Sequence, residues 1–205
     1  MTHHMTIPPL YQQIPSADNS ALVDYCWDKI NNTKFPDGYI DAYFFKILSL
    51  NLQEIFPLSP ILTKIHEIVP IKGMGIIRLR PDFYYEWHTD WDRGCGINML
   101  LQGDDCACSF LIKPGIPGKP GNDSGLNKVT GEPGDYSDVG DNAEQSELFK
   151  LDYILNELYG FNTQIQHCVM NWSGTRFMFS LEFHEAMAHL PYRGLIKRLK
   201  KAKLL

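Results

Sequence analysis

Two side chains that commonly bind metal ions, His88 and Asp90, lie two positions apart in the segment Glu86-Trp87-His88-Thr89-Asp90. In an extended segment, residues i and i+2 point to the same side, so this imidazole and this carboxylate can converge on one ion. Two ligands do not hold a metal ion alone. The pair therefore predicts a third ligand from another part of the chain, on a strand that reaches the same place.

A second pair of polar residues, His167 and Arg176, stands in an apolar stretch further along the chain. His167 completes a set of two histidines and one carboxylate, which is typical of non-haem iron(II) sites. Arg176 follows nine residues later, across a turn signal, on the same face of a predicted strand as Ser180. An arginine on the inner side of an apolar strand is costly unless it is paired. A carboxylate ligand would pair it through two parallel hydrogen bonds.

The framework that must position these residues is predicted from hydrophobic periodicity. Short alternating strands over 71–112 and 149–183, separated by turn signals, favour a closed or two-sheeted antiparallel architecture. One of these strands is predicted over 151–159, with a turn at Gly160. The loop between the two strand regions, 113–148, is rich in Gly, Pro and Asp and is predicted to be a lid or an insertion.

The remaining segments are predicted to flank that framework within a single domain, 1–205. Residues 1–70 form a helical flank, with helices over 17–31 and 60–69 and an ambiguous stretch over 39–56. A basic segment, 184–205, ends the chain. Its cations, interleaved with leucines, indicate an amphipathic helix with a solvated basic face, although such a face could also lie on an anionic surface.

Composition narrows the function classes. Hydrophobic residues make up 44% and charged residues 21% of the 205 residues, which is typical of a globular domain. The net charge of -5 argues against a nucleic-acid partner. No apolar run approaches the length of a membrane span, and no signal peptide is recognisable. Five scattered cysteines favour reduced thiols and a cytoplasmic location. The sequence does not indicate an oligomeric state.

Trp87-His88-Thr89-Asp90, then His167-Cys168-Val169-Met170-Asn171-Trp172-Ser173-Gly174-Thr175-Arg176, resembles the iron(II)- and 2-oxoglutarate-dependent dioxygenases. The resemblance covers about residues 71–183 and is nearest to the aspartyl/asparaginyl and prolyl hydroxylase-like members. It implies a mainly β fold, a double-stranded β-helix (jelly roll), with an N-terminal helical region. It also implies an enzyme that binds Fe(II) through His88, Asp90 and His167.

The same resemblance implies 2-oxoglutarate as co-substrate, held by Arg176, with Ser180, Asn98 and Arg80 as further candidate contacts. No catalytic residue beyond the metal ligands is predicted. The implied reaction consumes molecular oxygen, hydroxylates an unactivated C–H bond and releases succinate and CO2. The substrate would be an amino acid, a peptide or protein side chain, or a small metabolite.

Other interpretations of these motifs remain open. A cupin-like jelly-roll protein could bind a metal or ligand without oxygenase activity, and it would need no cation at position 176. A zinc protease would require His-Glu-x-x-His, whereas His184-Glu185-Ala186-Met187-Ala188-His189 has one residue too many. The aspartates of the 113–148 loop do not have the ligand spacing of a calcium loop.

Overall fold

Antiparallel strands form most of this protein, and helices cover one face of the larger sheet. The structure is a computed structural model that describes residues 10–16, 18–35, 45–88, 90, 93–103, 107–112, 124–126, 133–135, 147–165, 167–171 and 174–205. It describes only the backbone of residues 45–46, 83–88, 107–112, 124–126, 133–135, 147–150 and 170.

The elements follow one another in a regular order. The strands are β1 (Tyr11–Ile14), β2 (Phe45–Leu50), β3 (Ile71–Leu79), β4 (Phe83–His88), β5 (Gly96–Gln102), β6 (Ala107–Ile112), β7 (Ser124–Leu126), β8 (Pro133–Asp135), β9 (Glu147–Leu151), β10 (Leu158–Phe161), β11 (His167–Asn171) and β12 (Arg176–Phe183). The helices are α1 (Ser20–Asn32), α2 (Leu52–Ile55), α3 (Pro60–Ile68), α4 (Glu185–Ala188) and α5 (Tyr192–Lys201), with a 3-10 turn over Phe56–Leu58.

The strands form two main sheets. The larger sheet has the order β1-β10-β5-β12-β3-β2, and the smaller has the order β4-β11-β6-β9. Strands β7 and β8 pair only with each other. Consecutive strands alternate between the two sheets from β3 to β6 and again from β9 to β12, whereas β6 and β9 pair with each other in the smaller sheet. The architecture predicted from the sequence, mainly antiparallel β with flanking helices, is confirmed.

The alternation of β12 separates two environments. Phe177, Phe179, Leu181 and Phe183 lie in the main core together with buried residues of α1, α3 and α5. Residues of a strand alternate between its faces, so Arg176, Met178 and Ser180 lie on the opposite face, toward the smaller sheet. A second cluster there joins Leu151 of the smaller sheet to Tyr159 and Phe161 of the larger one. The larger sheet therefore has a helix-covered face and a face that can carry a site.

Three sequence predictions need correction. The first 70 residues are not only a helical flank, because β1 and β2 pair with the larger sheet. Strand β1 has only 4 residues, of which only Ile14 is buried, so its sequence shows no hydrophobic period. The strand predicted over 151–159 is instead two strands: residues 152–157 turn, with Asn156 in the left-handed region at φ 66°, and Gly160 lies inside β10.

The flanking segments agree better with expectation. Helix α5 buries Tyr192, Leu195 and Leu199 in the main core, so its apolar face is occupied by the protein itself. Strands β7 and β8 fall inside the predicted 113–148 loop, and most of that loop, like the predicted N-terminal arm, lies outside the described residues. Among the helices that the structure describes, none is long and apolar enough to cross a membrane.

Candidate metal and anion site

The two predicted histidine ligands are directly opposed across two strands of the smaller sheet. In the antiparallel pair formed by β4 and β11, His167 is the register partner of His88. The register shifts between His167 and Val169, and such bulges commonly redirect side chains beside functional sites. The imidazole of His88 lies outside the described part of the structure, so its orientation stays a prediction.

The ring of His167 has one nitrogen engaged and the other directed at a carboxylate. Its Nδ1 lies 2.9 Å from the carbonyl oxygen of Ile165. A carbonyl only accepts, so Nδ1 carries the proton, and Nε2 keeps a lone pair for a metal ion. The side chain is 4% exposed, and the edge of the Phe161 ring packs against it at a centroid distance of 5.9 Å. His167 thus has the environment of a metal ligand.

Asp90 is fixed beside His167 by backbone contacts. Its N–H donates to the carbonyl of Thr163 at 3.0 Å, and its own carbonyl accepts from Gln164 Nε2 at 2.7 Å. Asp90 Oδ1 lies 3.6 Å from His167 Nε2, which is too long for a hydrogen bond. Two ligands bound at right angles about 2.1 Å from one ion would be about 3 Å apart. These two atoms are therefore placed to share an ion.

The structure completes only part of the predicted ligand set. Among the described side chains, no group of three His, Cys, Asp or Glu residues could hold a metal ion. Asp90 and His167 are together, and the backbone of His88 is adjacent to them. The indoles of Trp87, Trp91 and Trp172, predicted as possible cavity walls, lie outside the described residues.

Arg176 is the most unusual side chain in the described structure. It is fully buried, and Nε, Nη1 and Nη2 all lack a hydrogen-bond partner. The Tyr153 ring lies 5.6 Å from its guanidinium carbon, and the apolar Leu79 is its register partner on β3. A buried charge without a partner is strongly unfavourable. This arrangement predicts an anionic ligand that accepts hydrogen bonds from the guanidinium.

The other candidate co-substrate contacts, Ser180, Asn98 and Arg80, lie at different positions in and beside the larger sheet. Ser180 and Asn98 are register partners on β12 and β5, and the buried Asn98 Oδ1 has no hydrogen-bond partner. Ser180 is four residues from Arg176, or about 13 Å along the strand at about 3.3 Å per residue. The two candidates thus form a polar position separate from the guanidinium. Arg80 is exposed at the end of β3. Arg78 is exposed and stacks on Phe35, on the helix-covered side.

Several residues that support the site were not singled out from the sequence. Arg93 donates from Nε to Asp90 Oδ2 at 2.5 Å, and its guanidinium lies over the Phe161 ring at 5.8 Å. Phe161 occupies the space beside Gly96, where an added Cβ would come within 2.6 Å of its ring. The HxD motif followed closely by an arginine was the available signal for Arg93.

Asn171 and Cys95 also stabilise the neighbourhood. Asn171 is fully buried and donates from Nδ2 to the carbonyls of Arg80 at 2.6 Å and Gly174 at 3.1 Å. These bonds fix the turn that leads into Arg176. Cys95 is fully buried beside the site, and burial raises the pKa of its thiol to about 12, a shift that Arg93 partly opposes. The thiol is therefore in its neutral form near pH 7, which is a weak nucleophile.

Comparisons with known proteins concern the fold. No family model matches the sequence, and no curated protein matches it by sequence. A prolyl-4-hydroxylase from Pseudomonas putida superposes with a TM-score of 0.51 at 11% identity, covering 85% of this chain and 90% of that chain. A Trichoplax adhaerens prolyl hydroxylase, in complex with a hypoxia inducible factor oxygen degradation domain peptide fragment, has a TM-score of 0.52 and 12% identity, covering 86% and 83%.

A third neighbour is the epimerase SnoN from nogalamycin biosynthesis, in complex with Fe3+, alpha ketoglutarate and nogalamycin RO. It has a TM-score of 0.52 and 10% identity, covering 83% of this chain and 77% of that chain. At these identities the likeness establishes the fold. This chain has the fold of the 2-oxoglutarate- and iron-dependent oxygenases, prolyl hydroxylases among them, as the sequence resemblance predicted.

Proposed function

We propose that this protein is an iron(II)- and 2-oxoglutarate-dependent oxygenase that hydroxylates an unactivated C–H bond. The observation that carries the proposal is Arg176, a fully buried cation whose three nitrogens have no hydrogen-bond partner among the described residues. It lies on the face of the larger sheet that also carries Phe161, beside His167. A dicarboxylate that reaches from a metal ion to a buried guanidinium fits this pair of features.

His88, Asp90 and His167 would hold the iron. The proton on His167 Nδ1 leaves Nε2 able to bind, and Asp90 Oδ1 is directed at the same point. When bound, iron(II) and 2-oxoglutarate would supply the oxidising power that inserts oxygen from O2, with release of succinate and CO2. We propose no acid or base beyond the metal ligands for this chemistry.

Arg176 would bind the distal carboxylate of 2-oxoglutarate by two parallel hydrogen bonds. Tyr153 covers the guanidinium, and the buried Leu79, Met178 and Leu100 surround the same face. These apolar side chains exclude water, which strengthens the charge-assisted contact and protects the reacting groups. Ser180 and Asn98 would contact the co-substrate or the substrate nearer the metal, and Arg80 would act from the exposed strand end.

The strand alternation between the two sheets supports a double-stranded β-helix within one domain spanning 1–205. The substrate class that we propose is an amino acid, a peptide or protein side chain, or a small metabolite. Proteins of similar fold are in complex with a peptide fragment in one case and with nogalamycin RO in another, which supports leaving the size of the substrate open. Cys26 and Cys95 are buried free thiols, which supports the proposed cytoplasmic location.

The direct test is a ligand titration followed by a turnover assay. Under anaerobic conditions the protein should bind Fe(II) and then 2-oxoglutarate, and admission of O2 with a substrate library should release succinate. A Kd for 2-oxoglutarate that does not depend on the metal, together with no succinate above a metal-free control, would exclude the proposal.

The alternative is a cupin-like jelly-roll protein that binds a metal or ligand without oxygenase activity. Such a protein has no need of a buried cation at position 176, whereas Arg176 here is buried and, within the described residues, its nitrogens make no hydrogen bond. It would bind metal in the titration above but would show no binding of 2-oxoglutarate.

A further inference from the structure

Arg93 connects the two described metal ligands, although it belongs to neither the predicted ligand set nor the predicted co-substrate contacts. Its Nε donates to Asp90 Oδ2 at 2.5 Å. Its guanidinium carbon also lies 5.8 Å from the centre of the Phe161 ring. The edge of that ring packs on His167 at 5.9 Å. One side chain therefore contacts the carboxylate directly and the imidazole through a single aromatic ring.

The backbone of Arg93 is held by the same loop that positions both ligands. Its carbonyl accepts from Thr163 Oγ1 at 2.6 Å and from Gln164 Nε2 at 2.9 Å. The same Gln164 amide donates to the carbonyl of Asp90 at 2.7 Å. Thr163 and Gln164 lie just before Ile165, whose carbonyl fixes the His167 ring. Arg93, Asp90 and the His167 ring are therefore all hydrogen-bonded to the short segment 163–165.

The two oxygens of Asp90 are thereby given different partners. Oδ2 is bonded to Arg93, whereas Oδ1 lies 3.6 Å from His167 Nε2. A carboxylate that accepts a charge-assisted bond on one oxygen resists rotation and resists offering both oxygens to a metal ion. Since the Arg93 bond is on the oxygen away from His167, a metal ion can bind Oδ1 without breaking it.

We propose that Arg93 is a positioning residue that restricts Asp90 to binding metal through Oδ1 alone. The inference rests on the proposed metal site. Its consequence is that the ion keeps more open positions for co-substrate and oxygen than a carboxylate bound through both oxygens would leave. The opposite effect is also physically possible: Arg93 could compete with the metal for Asp90, and its removal would then strengthen metal binding. Arg93 bonds to Asp90 Oδ2 and leaves Oδ1 facing His167, and this geometry favours positioning over competition with the metal.

The test compares Arg93→Gln, Arg93→Met and Arg93→Lys with a matched control, Arg78→Gln. Arg78 also lies over a phenylalanine ring, Phe35, at 5.9 Å, but it is on the helix-covered side of the larger sheet. Mn(II) affinity is measured by electron paramagnetic resonance, and the visible absorption spectrum of the Co(II)-loaded protein reports the ligand geometry. Thermal melting of the metal-free variants reports whether they are folded.

We expect Arg93→Gln and Arg93→Met to weaken Mn(II) binding by about 10- to 100-fold, the usual cost of losing a residue that orients a metal ligand. Their Co(II) spectra should differ from that of the wild type, and Arg93→Lys should recover part of both properties. The control should match the wild type. Unchanged or tighter Mn(II) binding with an unchanged Co(II) spectrum in the folded Arg93 variants would overturn the inference and leave the proposed function standing. Failure of the wild type itself to bind Mn(II) would overturn both.

Discussion

Replacing Arg176 with methionine should stabilise the ligand-free protein. The guanidinium is fully buried and has no hydrogen-bond partner among the described residues, so its desolvation cost is not offset. Methionine has a similar length and can pack on Leu79 and Met178. Exchanging buried charge for a well-packed apolar group gains about 1–4 kcal/mol in favourable cases. For a chain of this size, about 2–4 °C per kcal/mol gives a rise in melting temperature of about 2–16 °C.

The same substitution should remove most of the stabilisation by 2-oxoglutarate. Losing one partner of a desolvated charge pair costs about 2–5 kcal/mol, and about 1.4 kcal/mol corresponds to a factor of ten. We therefore expect 2-oxoglutarate to bind Arg176→Met about 30-fold to several thousand-fold more weakly. At a ligand concentration 100 times the wild-type Kd, the wild type gains about 2.7 kcal/mol, or about 5–11 °C. A variant that binds about 30-fold more weakly gains only about 0.9 kcal/mol at that concentration, and a weaker binder gains less. Arg176→Lys should lose less, because it keeps the charge but not the planar fork.

The assay is thermal melting of each protein with and without 2-oxoglutarate, supported by calorimetric titration. Mn(II) replaces Fe(II) to prevent turnover, and metal affinity should not change because Arg176 is not a ligand. Arg198→Met, on the exposed side of α5, is the control and should change neither property. A ligand-free Arg176→Met protein that melts below the wild type would show that the guanidinium has a partner in solution. Undiminished 2-oxoglutarate binding by Arg176→Met would reject the role of Arg176, and a wild type that does not bind 2-oxoglutarate would favour the cupin-like alternative.

Alanine at each of the three predicted metal ligands should remove Mn(II) binding measured by paramagnetic resonance, with His189→Ala, an exposed histidine, as the control; retained binding in all three would reject the ligand set. The 113–148 segment should be cleaved more slowly by a nonspecific protease when metal, 2-oxoglutarate and substrate are bound, and equal rates would reject a lid role. Burial raises the pKa of the Cys26 and Cys95 thiols to about 12. Both thiols should therefore resist iodoacetamide at pH 8 in the folded protein and react after unfolding. Rapid alkylation of Cys26 or Cys95 in the native protein would contradict their burial.

The features that sequence reasoning predicted best depend on local periodicity. The alternation in β12 predicted that Arg176 and Ser180 share one face and that Phe177 and Phe179 share the other, and the structure has this arrangement. The prediction that His88 and Asp90 share one face stays a prediction, because the imidazole of His88 lies outside the described side chains. The described side chains place Asp90 beside His167. Patterns of period two report side-chain direction, and this is sufficient to find residues that converge on one face of a sheet.

The features that were missed depend on contacts between distant parts of the chain. Thr163 Oγ1 bonds to the carbonyl of Arg93 across 70 positions, and Gln164 bonds to the carbonyl of Asp90 across 74. Neither residue has a hydrophobic neighbour pattern that would single it out. His66 shows the same limit. Its position in α3 does not indicate a bond beyond the helix, yet its Nδ1 accepts the N–H of Ile71 at 3.0 Å and fixes the path from α3 into β3.

Arg93 and Arg176 have different proposed roles: Arg93 positions a metal ligand, and Arg176 contacts the co-substrate. Arg93 is partly exposed, pairs with Asp90 and lies over Phe161, so its charge is satisfied in the ligand-free protein. Arg176 is fully buried and its nitrogens have no hydrogen-bond partner in the described part of the chain, so we expect its charge to be satisfied by an anionic ligand. Opposite effects on the ligand-free protein follow from this difference. Removing Arg93 should loosen the site, whereas removing Arg176 should stabilise the fold, and only the second change should remove most of the response to 2-oxoglutarate.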